Sequence, residues 1–300
     1  VASPDWLEER ALELAESKGL RATVLDVKEL ERRGMGGILA VGSGSAHPPR
    51  LVRLEWGDSG PAVSLVGKGI TFDTGGISIK PATDMDEMKF DKSGACSILG
   101  LARAVVDLGL PVRLRVYAAI AENMLSSKSY RPSDILRIYN GKTVEITNTD
   151  AEGRVILADA LAWAASENPD EILEYSTLTG SCVVALGTHA AGLFTPDDAL
   201  ASELIASGSE EGERLWRLPL FPEYLDEMKG NHADLKNSAG RWGGANTAAA
   251  FLSQFVGETR RWAHLDIAGV AYVGADQSPC TGATGFGVAL TLNWLRRRLG

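Results

Sequence analysis

Apolar residues along the chain follow two spacings, separated by segments rich in glycine and proline. Short runs of valine, isoleucine and leucine are typical of buried strands, and apolar positions three or four residues apart are typical of helices. Ser3 as N-cap and Pro4 behind it predict a first helix to about Gly19, because an apolar face begins at Trp6. The predicted strands are 22–27, 38–41, 51–56, 62–66, 114–120, 143–146, 171–176 and 262–267.

The order of the elements indicates the fold class, because strands and helices alternate from Ser93 onward. This order predicts an α/β domain with a mixed, mainly parallel central sheet and helices on both faces. Within this single domain, 1–60 is expected to form an N-terminal helix and early strands that lead into a core over 61–300. The further predicted helices are 93–106, 132–139, 155–166, 246–256 and 285–298.

Two glycine-bearing segments, 67–92 and 232–245, fit neither spacing and are predicted to be long loops. Loops of this length inside a compact domain are uncommon and often carry function. They therefore mark where binding or catalytic residues are expected.

Composition limits the classes of partner. The 300 residues are 45% hydrophobic and carry a net charge of -9, so nucleic acid is not an expected partner. Cys96, Cys182 and Cys280 are too few for a disulfide framework, which favours a reducing, cytoplasmic location. No long apolar run or signal-like N-terminus is present, so neither membrane spanning nor secretion is predicted. Val1 in place of an initiator methionine indicates a processed or excised chain.

Acidic and basic residues cluster in the first predicted loop. A strand ending near GKGITFDTGG delivers Lys68 and Asp73 to the edge of the sheet, where α/β folds bind ligands. Lys80 and Asp91 follow, and Asp91 precedes a helix start. Lys68 could bind phosphate, but GKG lacks the P-loop spacing. The remaining acids of this loop are expected to be solvated, namely Asp84, Asp86 and Glu87.

A second cluster precedes the helix predicted over 155–166 and contains Asp150, Glu152 and Arg154. Carboxylates brought together repel one another unless they share a proton or a cation. Because the chain has only four histidines, a site of oxygen ligands for one or two hard metal ions is the natural remedy. These residues alone predict a metal-dependent hydrolase and leave peptidase, phosphatase and nuclease chemistry open.

Longer strings resemble one family. From Gly67 to Val288 the chain is similar to the catalytic domain of the leucyl aminopeptidase (cytosol aminopeptidase) family. The strings that carry the resemblance are VGKGITFDTGGISIKP, MDEMKFD, AENM, YRPSDIL, NTDAEGRVILADAL, STLTG, WAHLDIAG and GATGFGV. Their occurrence together and in this order identifies the resemblance.

The resemblance implies five ligands for two divalent metal ions. Asp73 and Glu152 would bridge both ions, Lys68 and Asp91 would complete one ion, and Asp150 would complete the other. Lys68 would bind as the neutral amine, because nearby cations depress the pKa of a lysine. Zinc or manganese is the expected metal, with cobalt or magnesium as alternatives.

The resemblance also implies the reaction, which is hydrolysis of the N-terminal peptide bond of peptides with apolar first residues such as leucine. A water activated by the two metals would attack the scissile carbonyl, and Lys80 would stabilise the developing oxyanion. Arg154 would hold a bicarbonate ion that carries the proton from the water to the leaving amine.

Further residues are implied to bind the substrate. Leu178 to Gly180 would contact the peptide through backbone groups, and the pocket for the first side chain would involve Met88, Asn123, Thr177, Gly180 and Ala268. The family is generally a homohexamer whose active sites face an interior cavity, and the resemblance implies the same assembly here. The alternative is a non-catalytic relative that serves as an oligomeric scaffold or binding module, but such proteins typically lose ligands that this chain retains.

Overall fold

An eight-stranded mixed sheet forms the centre of the protein in a computed structural model that describes residues 2–274 and 281–300. Its strand order is β1-β2-β4-β3-β7-β11-β8-β9. Four neighbouring pairs are parallel and three are antiparallel, which confirms a mixed, mainly parallel sheet. The strands of the described residues are β1 Arg21–Leu25, β2 Arg50–Trp56, β3 Ala62–Asp73, β4 Arg113–Asn123, β5 Ile135–Arg137, β6 Thr143–Glu145, β7 Glu171–Ser176, β8 Ala191–Phe194, β9 Leu215–Arg217, β10 Leu235–Lys236, β11 Trp262–Asp266, β12 Tyr272–Val273 and β13 Gly282–Ala283.

Helices cover both faces of this sheet, as predicted. Residues of α1, α4, α7 and α10 pack into one hydrophobic cluster, and residues of α3, α5 and α9 pack into a second cluster on the opposite face. Two short 3-10 helices, Met85–Phe90 and Ser253–Phe255, complete the helical segments described. The α-helices are α1 Pro4–Lys18, α2 Val27–Arg33, α3 Gly36–Gly42, α4 Ser93–Asp107, α5 Glu152–Ser166, α6 Gly180–Leu186, α7 Asp198–Glu211, α8 Pro222–Asp226, α9 Gly244–Leu252 and α10 Val288–Leu299.

Strand β3 sets the position of the first acidic and basic cluster. Val63 and Leu65 belong to the cluster with α4, whereas Val66 and Ile70 belong to the cluster with α5. Side chains alternate between the two faces of a strand, so Lys68 lies on the α5 face. Because β3 runs on to Asp73, the loop predicted over 67–92 begins seven residues later, at Thr74.

Two predicted elements are wrong in type. The segment 38–41 lies in α3, not in a strand, because the buried Asp159 carboxylate of α5 accepts the Ile38 N–H at 2.9 Å near the start of that helix. The segment 132–139 contains β5 instead of a helix, because its residues pair with β6 in a small three-stranded sheet. The predicted loop over 232–245 also contains β10 and the start of α9.

The early part of the chain joins the main sheet, since β1 and β2 extend it beyond β4. Ser3 caps α1 by accepting the Trp6 N–H, as predicted. Within the described residues, every helix is too short or too polar to cross a bilayer. Cys96 and Cys182 are free thiols, and Cys280 lies outside the described residues.

Candidate active site

Lys68 is the centre of a buried cluster where β3, α5 and the start of α4 meet. Its Nζ lies 2.8 Å from Asp91 Oδ1 and 2.9 Å from Glu152 Oε1, and it donates to the Thr177 carbonyl at 3.2 Å. Gly153 allows this approach, because a Cβ at that position would stand 2.6 Å from Lys68 Cε. Residues that are distant in sequence therefore converge on one amine.

Lys80 links the two remaining predicted ligands. Its Nζ lies 2.9 Å from Asp73 Oδ2 and 2.5 Å from Asp150 Oδ1. Asp73 is held from its other oxygen, which accepts from Asn123 Nδ2 at 2.8 Å and from the Gly75 N–H at 2.9 Å. Lys80 thus reaches the same cluster from the loop after β3.

The three carboxylates of Asp73, Asp91 and Glu152 form a set that fits a metal ion. All are buried, and one oxygen from each lies within 4.8 Å of the others. Asp91 Oδ2 and Glu152 Oε2 are buried and have no hydrogen-bond partner among the residues that the structure describes. A buried anionic oxygen without a partner is costly, and a hard cation would satisfy these oxygens.

The electrostatics of the cluster agree with this fit. Burial raises the pKa of the Glu152 and Asp91 carboxyls, and the charge of nearby Asp73 raises both further. Burial by itself lowers the pKa of Lys68, but the Asp91, Glu152 and Asp73 carboxylates outweigh burial and raise it above its ordinary value. Among the protein groups alone, Lys68 is therefore an ammonium that partly neutralises the acids.

The turn NTDAEGR is fixed by Asn237, a fully buried residue that sequence reasoning missed. Its Oδ1 accepts from the N–H groups of Thr147 and Asn148 at 2.8 and 3.3 Å, and its Nδ2 donates to the Asn148 carbonyl. Asn237 lies in the segment predicted as the second loop, and its position 83 residues after Arg154 left no local signal for this role.

Arg154 is a buried guanidinium without a carboxylate within 4.0 Å among the described residues. It donates to the Asn237 carbonyl at 3.0 Å, and its Nε has no hydrogen-bond partner within residues 2–274 and 281–300. Burial lowers the pKa of Arg154 to about 10, although the negative charges of Glu152 and Asp266 act to raise it. The ion pair with Glu152 that would have given Arg154 a purely structural role is not formed.

A cavity of about 420 Å³ opens beside the cluster. Asp150, Arg154, Leu178 and Gly180 line it, together with the segment from Ser238 to Arg241. The other predicted substrate residues lie outside this lining. Asn123 is fully buried beneath Asp73, Thr177 donates from its Oγ1 to Asp91 Oδ1 at 2.7 Å, and Met88 and Ala268 are half-buried.

Thr177 and Asn123 thus contact predicted metal ligands, and their positions suit support of those ligands better than contact with a substrate side chain. Asp84 and Asp86 are exposed and Glu87 is half-buried, and all three lie outside the buried carboxylate set. The structure therefore brings together the five predicted ligands and Lys80, and separates them from the other acids of the loop.

Comparison with known proteins places these residues in a family context. The model of the "Cytosol aminopeptidase family, catalytic domain" matches residues 1–292. A "Probable cytosol aminopeptidase" from Roseiflexus castenholzii is 50% identical over 301 residues, which cover 98% of this chain and 61% of the relative. Proteins with the same name from Nitrosospira multiformis and Cenarchaeum symbiosum are each 47% identical and cover 99% and 98% of the chain. The chain spans about three fifths of the length of these relatives.

Proposed function

The chain belongs to the cytosol aminopeptidase family, and on that premise we propose that its site is the centre of a metal-dependent aminopeptidase. The substrates would be peptides, from which the first residue is removed, with a preference for apolar first residues such as leucine. One observation carries this proposal. Three buried carboxylates lie within 4.8 Å of one another beside Lys68, and two of their oxygens have no hydrogen-bond partner in the described part of the chain.

Two divalent ions would be held by Lys68, Asp73, Asp91, Asp150 and Glu152, with zinc or manganese preferred over cobalt or magnesium. When bound, such ions supply Lewis acidity and lower the pKa of a coordinated water. For Lys68 to serve as a ligand it must lose its proton, because only the neutral amine has a free electron pair. Without the ions, the Asp91, Glu152 and Asp73 carboxylates raise the pKa of Lys68. Bound ions would neutralise these carboxylates, and Lys68 would then lose its proton more easily.

Lys80 suits the task of polarising the scissile carbonyl. Burial lowers the pKa of its amine, but the charges of Asp73, Glu152 and Asp150 raise it above its ordinary value, so the side chain stays a cation at neutral pH. Its side chain is 21% exposed, which leaves the ammonium within reach of a bound peptide. A fixed positive charge at the carbonyl oxygen stabilises the negative charge that develops there.

Arg154 would hold a bicarbonate ion, a group that would supply proton-transfer chemistry between the attacking water and the leaving amine. The support is its unpaired Nε and its place in the cavity wall next to Asp150. A planar guanidinium presents two parallel N–H groups, which match the oxygens of a planar anion.

The assembly we propose is a homohexamer with active sites that face an interior cavity, in a cytoplasmic location. Large exposed apolar side chains support burial against other copies, notably Val184 at 90%, Trp242 at 78% and Trp216 at 64% exposure. Scattered exposed apolar residues are common on protein surfaces, so these three side chains indicate a contact surface and not a particular number of subunits. Trp242 directly follows Arg241, which lines the cavity.

The alternative is a non-catalytic scaffold, and a third possibility is a phosphatase. Leucine p-nitroanilide and p-nitrophenyl phosphate separate them when each is assayed with added manganese or zinc. We expect anilide turnover only, and we expect Glu152→Ala to abolish it because that carboxylate contacts Lys68. Glu87→Ala is the matched control, since Glu87 lies in the nearby loop outside the carboxylate set and should retain full activity. If Glu152→Ala still hydrolyses leucine p-nitroanilide, the proposed mechanism is wrong.

A further inference from the structure

Asp266, the last residue of β11, is a fully buried carboxylate at the same end of the sheet as the cluster. Its Oδ1 accepts from the N–H groups of Leu178, Thr179 and Ala268 at 3.1, 3.4 and 3.2 Å. Its Oδ2 accepts from Thr179 Oγ1 at 2.7 Å. One side chain therefore joins the segment after β7 to the segment after β11.

The burial of Asp266 needs a reason. An ionised carboxylate in the interior costs several kcal/mol unless donors surround it, and a hydrophobic residue of similar size would fill the same space at lower cost. Here every donor comes from the two segments, and no lysine or arginine lies within 4.0 Å of Asp266 in the described part of the chain. The carboxylate thus acts as a tie between backbone segments.

Thr179 extends this tie into the cavity wall. Its Oγ1 donates to Asp266 and accepts from the Cys182 N–H at 3.0 Å, so the same hydroxyl caps α6. Gly180 and Leu178 flank Thr179 and line the cavity. A shift of Asp266 would therefore move the start of α6 and this part of the wall together.

We propose that Asp266 is a positioning residue that fixes the pocket for the first side chain of the substrate. It does so by tying the Leu178–Gly180 segment, which lines the cavity beside the carboxylate cluster, to the segment after β11. The inference rests on the proposed aminopeptidase function, since it assigns the pocket of that site. Asp266 touches none of the five proposed ligands, so its loss should alter selectivity while the metal centre stays intact.

Two variants separate the backbone tie from the charge. Asp266→Ala removes all four acceptor contacts, whereas Asp266→Asn keeps one oxygen that can accept from the N–H groups. We expect Asp266→Ala to lower the ratio of kcat/KM for leucine over alanine p-nitroanilide by about tenfold, the lower end of the discrimination that one methylene in an apolar pocket provides. Asp266→Asn should restore part of this ratio. Manganese affinity, measured by calorimetry, should equal that of the wild type in both.

Hydrogen exchange gives a readout that does not need turnover. The amides of Leu178 and Thr179 should exchange about tenfold faster in Asp266→Ala, while those of α5 stay unchanged, because only the former donate to Asp266. Asp159→Asn is the matched control. Asp159 is also fully buried and accepts backbone N–H groups, at Ile38 and Tyr139, but it contacts neither segment.

The outcomes separate the two hypotheses. A wild-type protein that cleaves neither anilide refutes the aminopeptidase function, and the pocket role of Asp266 falls with it. A wild-type protein that prefers leucine, with a ratio unchanged in Asp266→Ala, overturns the role of Asp266 alone. Unchanged exchange at Leu178 and Thr179, or an equal loss of selectivity in Asp159→Asn, overturns it as well.

Discussion

Gly153 provides the sharpest structural test of the Lys68 site. It lies in the first turn of α5, and a Cβ there would stand 2.6 Å from Lys68 Cε and 2.8 Å from Lys68 Nζ. Contacts that short do not occur, so Gly153→Ala must displace the lysine side chain. Lys68 has little room to move, because it is 3% exposed and held by Asp91 and Glu152.

The size of the effect follows from the contacts that Gly153→Ala breaks. Hydrogen bonds to charged groups contribute about 1.5–3 kcal/mol each, so loss of the two ion-paired contacts of Lys68 costs about 3–6 kcal/mol. These contacts belong to the metal-free protein, so their loss lowers its stability. Metal affinity and kcat/KM should fall by about 10- to 100-fold, because a ligand that is no longer held in place weakens a metal site by that amount. Alanine favours the helix by up to about 1 kcal/mol, which offsets part of any loss in global stability.

Gly100→Ala is the control for Gly153→Ala. Gly100 lies in α4, and a Cβ there would only meet Val288 Cγ2 at 3.5 Å, an ordinary contact. This variant should unfold at the wild-type temperature or above and keep full activity. Manganese calorimetry, thermal unfolding and leucine p-nitroanilide turnover give the comparison. If Gly153→Ala binds manganese and turns over the anilide as well as the wild type does, Lys68 is not a metal ligand.

Three other predictions follow from the site geometry. Lys80→Ala should lower kcat for leucine p-nitroanilide by about 100- to 1000-fold while calorimetry still detects metal binding, and an unchanged kcat would exclude the carbonyl-polarising role. Asn237→Ala should lower the free energy of unfolding by about 2–4 kcal/mol in denaturant titrations, because it leaves backbone groups of the NTDAEGR turn unpaired, and unaltered stability would contradict this. Burial raises the pKa of Glu152 to about 8, so protons compete with metal below that pH. Deprotonation of Lys68 already makes metal binding pH-dependent, so Glu152 should add up to about tenfold per pH unit to the loss of manganese affinity below pH 8. Calorimetry that shows no steeper fall below pH 8 than above it would contradict this assignment.

The convergence of the proposed ligands could be predicted from the sequence, because each of these residues lies in a short string with a fixed place next to a strand end or a helix start. Lys68 and Asp73 belong to β3, and Glu152 opens α5, so their approach follows once these elements pack together. The mainly parallel sheet follows in the same way from the alternation of strands and helices.

The residues that support the ligands could not be predicted from the sequence alone. The side chains of Asn237 and Asp266 accept from backbone N–H groups 87 to 90 residues away, and no local pattern records such a contact. The same cause explains the error at 38–41. Ile38 and Val41 favour a strand locally, but Asp159, which lies 121 residues from Ile38, accepts an N–H group at the start of a helix there.

The most direct test of the metal centre is a crystal structure of this chain soaked in manganese or zinc, with anomalous scattering to locate the ions. We expect two ions per chain, both in contact with Asp73 and Glu152, with Lys68 and Asp91 on one ion and Asp150 on the other. An anomalous map without ions at this cluster, or with Lys68 still paired to Asp91 and Glu152 beside a single ion, would contradict the proposed two-metal site.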